Sequence, residues 1–173
     1  MIYRHQARMC LKLCTFSGMP DKIFLKLDDR ITPGPLIKIS NLPDINLFHS
    51  FLSNDELLTA TAMQVPKIIA SGTEYCKGSI ILLKCTEDIL PIFGQMREIY
   101  VLENGTKLLL VSEMETVYYE HKLNAYNVLD ETRNVPTLQN LQSLIFPHPL
   151  SLYIVNQLMF VPLINHERVE FIE

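Results

Sequence analysis

Gly78-Ser-Ile-Ile-Leu-Leu-Lys84, Leu90-Pro-Ile-Phe-Gly-Gln-Met-Arg-Glu-Ile-Tyr-Val-Leu102 and Lys107-Leu-Leu-Leu-Val-Ser-Glu113 are apolar runs, and Glu103-Asn104-Gly105-Thr106 joins the last two. Asn-Gly between two such runs is a strong hairpin signal, because both central residues of a type I′ turn need φ > 0. A two-residue turn sets the register by arithmetic. Val101 then faces Leu108 and Ile99 faces Leu110 on the expected core side, with Tyr100 opposite Leu109 and Glu98 opposite Val111 on the other. Further upstream, Ile92 and Met96 are out of phase with Ile99. A bulge near Arg97–Glu98 restores the phase and bends the strand. This predicts a mainly β fold with minor α: a small SH3-like or related antiparallel barrel, core at about residues 67–128, with short helices and a C-terminal hairpin.

Working outward, Lys67–Ala70 reads as a strand, Ser71-Gly72-Thr73 as a turn and Leu123–Leu129 as another strand, while the polar Glu113–Glu120 segment is expected to leave the sheet. Lys22–Ile31 alternates as a strand does, Leu36–Ile39 is a short strand, and Ser40–Phe51 is irregular. Ser53 with Glu56 three residues later forms a capping-box pattern, predicting a turn or two of helix through Leu57, Leu58 and Thr61. Leu138, Leu141 and Leu144 have helical spacing, which predicts a helix within Pro136–Leu144. Ser151–Val155 and Leu158–Pro162 form a second hairpin around Asn156-Gln157, and Val169–Ile172 is a candidate edge strand. Near the start, Tyr3–Leu13 reads as a short helix with Arg4, Arg8 and Lys12 on one face. Residues 1–20 are therefore expected to be a helical arm, and 21–173 a single β-rich domain.

A chain of 173 residues, 48% hydrophobic and 20% charged, is long and apolar enough for one domain with a sizeable core. A net charge of −4 excludes an overall basic nucleic-acid footprint. Charge is uneven: Met1–Pro20 has no acid, and Asn134–His166 has no Asp, Glu, Lys or Arg. The second stretch must be buried or face a partner. Pro147, Pro149 and Pro162 interrupt it, and its apolar-rich part, Leu150–Ile164, is shorter than the roughly 20 residues of a membrane-spanning helix, so no membrane association is expected. Cys10, Cys14, Cys76 and Cys85 follow no secretory apolar segment, which points to free thiols and an intracellular, nuclear or cytoplasmic, location.

Tyr75, Tyr118, Tyr119 and Tyr126, with Glu115 and Glu120, are candidates for an aromatic, acid-edged pocket for a cationic side chain; the plainer reading is strand tyrosines packing with their hydroxyls in water. Arg4, Arg8 and Lys12 are candidate phosphate contacts, and otherwise a solvated helix face. His5, Cys10 and Cys14 do not complete a tetrahedral zinc site, so no metal or cofactor is expected. His121, His148 and His166 accompany no nucleophile, metal-protease, P-loop or dinucleotide motif, and the expectation is a non-enzymatic protein.

Two resemblances accompany these readings. Tyr3-Arg4-His5-Gln6-Ala-Arg8-Met9-Cys10, Ser71-Gly72-Thr73-Glu74-Tyr75 with Gly78, Leu90-Pro91-Ile92-Phe93-Gly94-Gln95-Met96 with Ile99, and Pro149-Leu-Ser-Leu-Tyr153 with Pro162-Leu163 resemble the C-terminal region of uncharacterised, transposon-derived animal proteins. This implies a fragment of an ancestor with an upstream zinc-finger and transposase-like region. The order Gly78-Ser-Ile-Ile-Leu, Pro91 to Ile99, Leu108 to Val111, Tyr118-Tyr119 and Ala125-Tyr126-Asn-Val128 is similar to the strands of SH3-like chromatin readers of the BAH and Tudor kind. Their third-strand Trp-Phe is replaced here by Val111-Ser112-Glu113. Together they imply an interaction module with a chromatin or nucleic-acid partner, the latter through the N-terminal arm. The alternative is a protein–protein or self-association module using the uncharged 134–166 surface.

Overall fold

The computed structural model describes residues 29–85, 90–129 and 136–162. The arm at 1–20, most of the Lys22–Ile31 strand, Arg4, Arg8, Lys12, Cys10, Cys14, His166 and the Val169–Ile172 strand lie outside them. In chain order the described strands are β1 (Arg30–Ile31), β2 (Leu36–Lys38), β3 (Thr61–Val65), β4 (Lys67–Ala70), β5 (Thr73–Cys76), β6 (Ile80–Lys84), β7 (Ile92–Leu102), β8 (Lys107–Glu120), β9 (Ala125–Leu129), β10 (Thr137–Asn140), β11 (Tyr153–Val155) and β12 (Leu158–Pro162). A helix, α1 (Asn54–Thr59), and short 3-10 segments at Ile39–Asn41, Ile45–Ser50 and Leu141–Ser143 complete them. The fold is mainly β, with an antiparallel sheet curled into a half-barrel.

Two long strands organise that sheet. β7 pairs with β8 along most of its length, with β6 on its first half and with β3 on its second. β8 pairs with β10 at its start and with β9 at its end, and β12 and β11 follow on β9. Handing each long strand to different neighbours at its two ends makes the sheet curl. The bend in β7 is the expected bulge: the register shifts between Met96 and Glu98, leaving Arg97 over. Met96 and Ile99, three residues apart, thereby enter the same core cluster with Leu109 and Val111. A second bulge, between Thr116 and Tyr118, bends β8.

The β7–β8 turn departs from expectation. Ile99 faces Leu109, Tyr100 faces Leu108 and Val101 faces Lys107, one residue away from the two-residue register. The loop has three residues, Glu103-Asn104-Gly105. Gly105 N–H donates to Leu102 C=O at 2.9 Å, and Leu102 N–H to Thr106 C=O at 2.9 Å. Gly105 alone takes a left-handed φ, of 83°, as in a type I turn closed by a glycine bulge. The Asn104 carboxamide oxygen accepts from Thr106 N–H at 2.9 Å, a local bond that suits a right-handed Asn104. The slip is tolerated because both faces of the ladder are buried: Ile99, Leu109 and Val111 in one cluster, Tyr100, Leu102, Leu108 and Leu110 in another.

Three further expectations are corrected. Glu113–Glu120 stays in the sheet as the second half of β8, where it pairs with β9. Residues 137–140 form β10 on β8, followed by a 3-10 turn at Leu141–Ser143, instead of a helix. Leu138 and Leu141 point into different clusters, so their helical spacing reflects two separate burials. The helix ends at Thr59, and Thr61–Val65 enters the sheet as β3. Its start is as expected: the Ser53 side chain accepts from Glu56 N–H, and Glu56 accepts from Ser53 N–H at 2.8 Å.

The smaller sheet, β1-β4-β5, packs on the large one through Ile68 and Tyr75, which share a cluster with Ile81, Met96 and Ile99. Asp29 ties the two sheets, accepting from Ser71 N–H at 3.1 Å and from the Lys107 ammonium. Lys107, with Ser71 N–H second, holds the Asp29 carboxyl below the usual carboxylate range.

Candidate functional site

The four tyrosines do not line one cavity. Tyr119 and Tyr126 face each other across the β8–β9 ladder, with ring centroids 4.9 Å apart. Tyr118 is the preceding ladder position, opposite Asn127, so its ring lies on the other face. Tyr126 is 1% exposed and packs with Phe93, Met114 and Val161. Tyr75 is buried in the cluster shared by the two sheets, and its hydroxyl donates to the Pro147 carbonyl. A cage for a cation needs ring faces open to a ligand. Tyr75 and Tyr126 instead use theirs for packing. Glu115 is exposed opposite Leu129, and Glu120 accepts from Lys122 N–H at 3.1 Å.

The charge-free stretch divides into two kinds of surface. Leu138, Leu141, Leu150, Phe160 and Val161 are buried. The Phe146–Leu150 segment is held down by Tyr75 on Pro147, by Thr73 with His148 at 3.2 Å, and by Leu150 N–H donating to Ile80 C=O at 2.7 Å. Beyond it, β11 and the start of β12 are the opposite. Tyr153, Ile154, Val155 and Leu158 are exposed, Ile154 to 71%. Leu152 and Met159 sit half-buried against the core cluster, so the solvent-facing apolar residues of this hairpin are the four above.

Local sequence builds this edge. Asn156 and Gln157 have φ of 51° and 67°, and Val155 faces Leu158, so this is the type I′ hairpin of the chain's second half. A two-residue turn closes on a hydrogen-bonded pair, here Val155 and Leu158. The next pair, Ile154 and Met159, is not hydrogen-bonded, and the Ile154 N–H and C=O point away from β12. β11 is the terminal strand of the sheet among the described residues. Among the described residues, the other strands with a single strand partner carry or follow charge or proline: β2 holds Lys38 and follows Pro33 and Pro35, β1 holds Arg30, β5 holds Glu74 paired to Lys67 at 2.7 Å, β6 holds Lys84, and β10 follows Pro136. Charges and prolines are what blunt an edge against pairing. β11 has neither. The readable signal was the Asn156-Gln157 turn, which fixes which edge groups face outward.

Among the described residues, no three His, Cys, Asp or Glu side chains gather in a metal-binding group, and no helix is long and apolar enough to cross a membrane. The Cys76 sulfur lies 3.1 Å from the Ser79 hydroxyl. No family model, curated protein or solved structure matches the chain.

Proposed function

We propose that this protein is a non-enzymatic interaction module whose contact surface is the β11–β12 hairpin, and that its partner is a protein. The supporting observation is the uncharged edge strand Tyr153-Ile154-Val155, exposed along its length and continued by exposed Leu158 and Leu129 on neighbouring strands. An open apolar edge is a template for strand addition. A photo-crosslinking residue at Ile154 tests this in cell extract. Defined protein adducts at 154, and none from the equally exposed Leu36 on β2, are the expected result. Equal labelling at both positions, or none at 154, contradicts it.

A nucleic-acid or chromatin partner is a second reading, supported by the acid-free Met1–Pro20 sequence with Arg4, Arg8 and Lys12. It requires salt-dependent binding that weakens when the three become Ala; binding with an unchanged salt slope removes it. Descent from the transposon-derived group, and kinship with SH3-like readers, belong to the same proposal and rest on the motifs quoted above.

A further inference from the structure

The geometry points to a second copy of this chain as an occupant of the β11 edge, paired antiparallel about a two-fold axis through Ile154. This rests on the reading of the hairpin as a protein-contact surface. A strand pairing antiparallel with its own image is self-complementary by construction, because residue i meets residue j and j meets i. The outward-pointing N–H and C=O of Ile154 place a hydrogen-bonded pair at the axis, Ile154 against Ile154 of the second copy. The neighbouring positions then match Tyr153 with Val155, twice, on one face. An aromatic residue opposite a β-branched one is a favourable cross-strand pair.

Charge favours the same occupant. A two-fold axis sets every side chain near its own kind, so any charge close to the axis meets a like charge. None lies between Asn134 and His166. The β2 edge, with Lys38, and the β1 edge, with Arg30, would repel their images. A contact built on one three-residue strand from each copy falls at the small, transient end of interfaces, below about 1,200 Å². The dimer is therefore expected to be reversible and concentration-dependent.

The test uses the full chain. Sedimentation over a range of concentrations should show monomer passing to dimer, little affected by salt. Ile154→Pro, which removes the edge N–H, should raise the dimer Kd by at least about tenfold with the melting transition retained. Ile154→Cys should give a disulfide-linked dimer on oxidation that the parent does not. Paired Cα atoms about 5.5 Å apart lie within the roughly 4.4–6.8 Å that a disulfide spans. Leu36→Cys should give none. A chain that stays monomeric throughout overturns the self-pairing, while adducts from 154 to other proteins alone would leave the contact surface standing. A dimer indifferent to Ile154→Pro, with no Ile154→Cys cross-link, overturns the self-pairing, and the absence of adducts at 154 would separately remove the surface.

Discussion

Burial pushes the Tyr75 phenol up to about 12, and burial reinforced by Glu98 and Asp44 does the same for Tyr100. In the unfolded chain both ionise near their ordinary value of about 10. A raised phenol pKa means the unfolded state loses its protons first, so its contribution is fully present below about pH 10 and is lost as pH rises through 12. Chemical denaturation between pH 8 and 12 should give a flat stability and then a fall, and Tyr75→Phe should lessen that fall. Asp29 works at the acid end: its lowered pKa stabilises the fold above the ordinary carboxylate range and loses this as pH falls through the folded value. Gly94 is set by contact. A Cβ there would sit 2.2 Å from a Val111 methyl and 2.8 Å from a Leu83 methyl. Gly94→Ala is expected to cost about 1–3 kcal/mol, measured by urea unfolding. The tyrosines show where residue types mislead. Clustered in sequence, Tyr118 and Tyr119 suggested one pocket, but strand alternation sends them to opposite faces, and Tyr75 belongs to another sheet.

At the scale of elements, what could be read was what local bonding decides. The Ser53–Glu56 box starts α1, and Ser53→Ala is expected to cost about 1 kcal/mol, read as a lower denaturation midpoint. The bulge at Arg97 was legible because Met96 and Ile99 cannot otherwise share a face. Deleting Arg97 should turn the bulge into regular alternation that keeps Met96 and Ile99 on one face, so a cooperative melt is expected to survive the loss of the bend, at a lower denaturation midpoint. The two turns were harder. Asn104-Gly105 carries the stronger type I′ signature, yet it forms a three-residue loop, while Asn156-Gln157, a weaker pair, takes the type I′ form. Turn propensity was not decisive where the ladder buries both faces and either register hides apolar residues. β10 was illegible for a related reason: its pairing with β8 overrides the helical spacing of its leucines.

Across the whole molecule, the apolar runs and turns foretold a β-rich core but not its extent. The sheet reaches past the expected 67–128 limits, taking in β2 and β3 on one side and β10, β11 and β12 on the other. The uncharged 134–166 stretch was recognisable as needing burial or a partner; only the fold shows that Leu138, Leu141, Leu150, Phe160 and Val161 are the buried share and residues 153–158 the exposed one. The openness of that hairpin is tested most directly by amide hydrogen exchange read residue by residue in dilute and concentrated solution. The Ile99 and Leu109 amides, in the buried ladder, should be protected in both. The Ile154 amide should exchange freely when dilute and gain protection when concentrated. Protection of Ile154 in the dilute monomer would mean that the chain covers its own edge, and would contradict the hairpin as a contact surface.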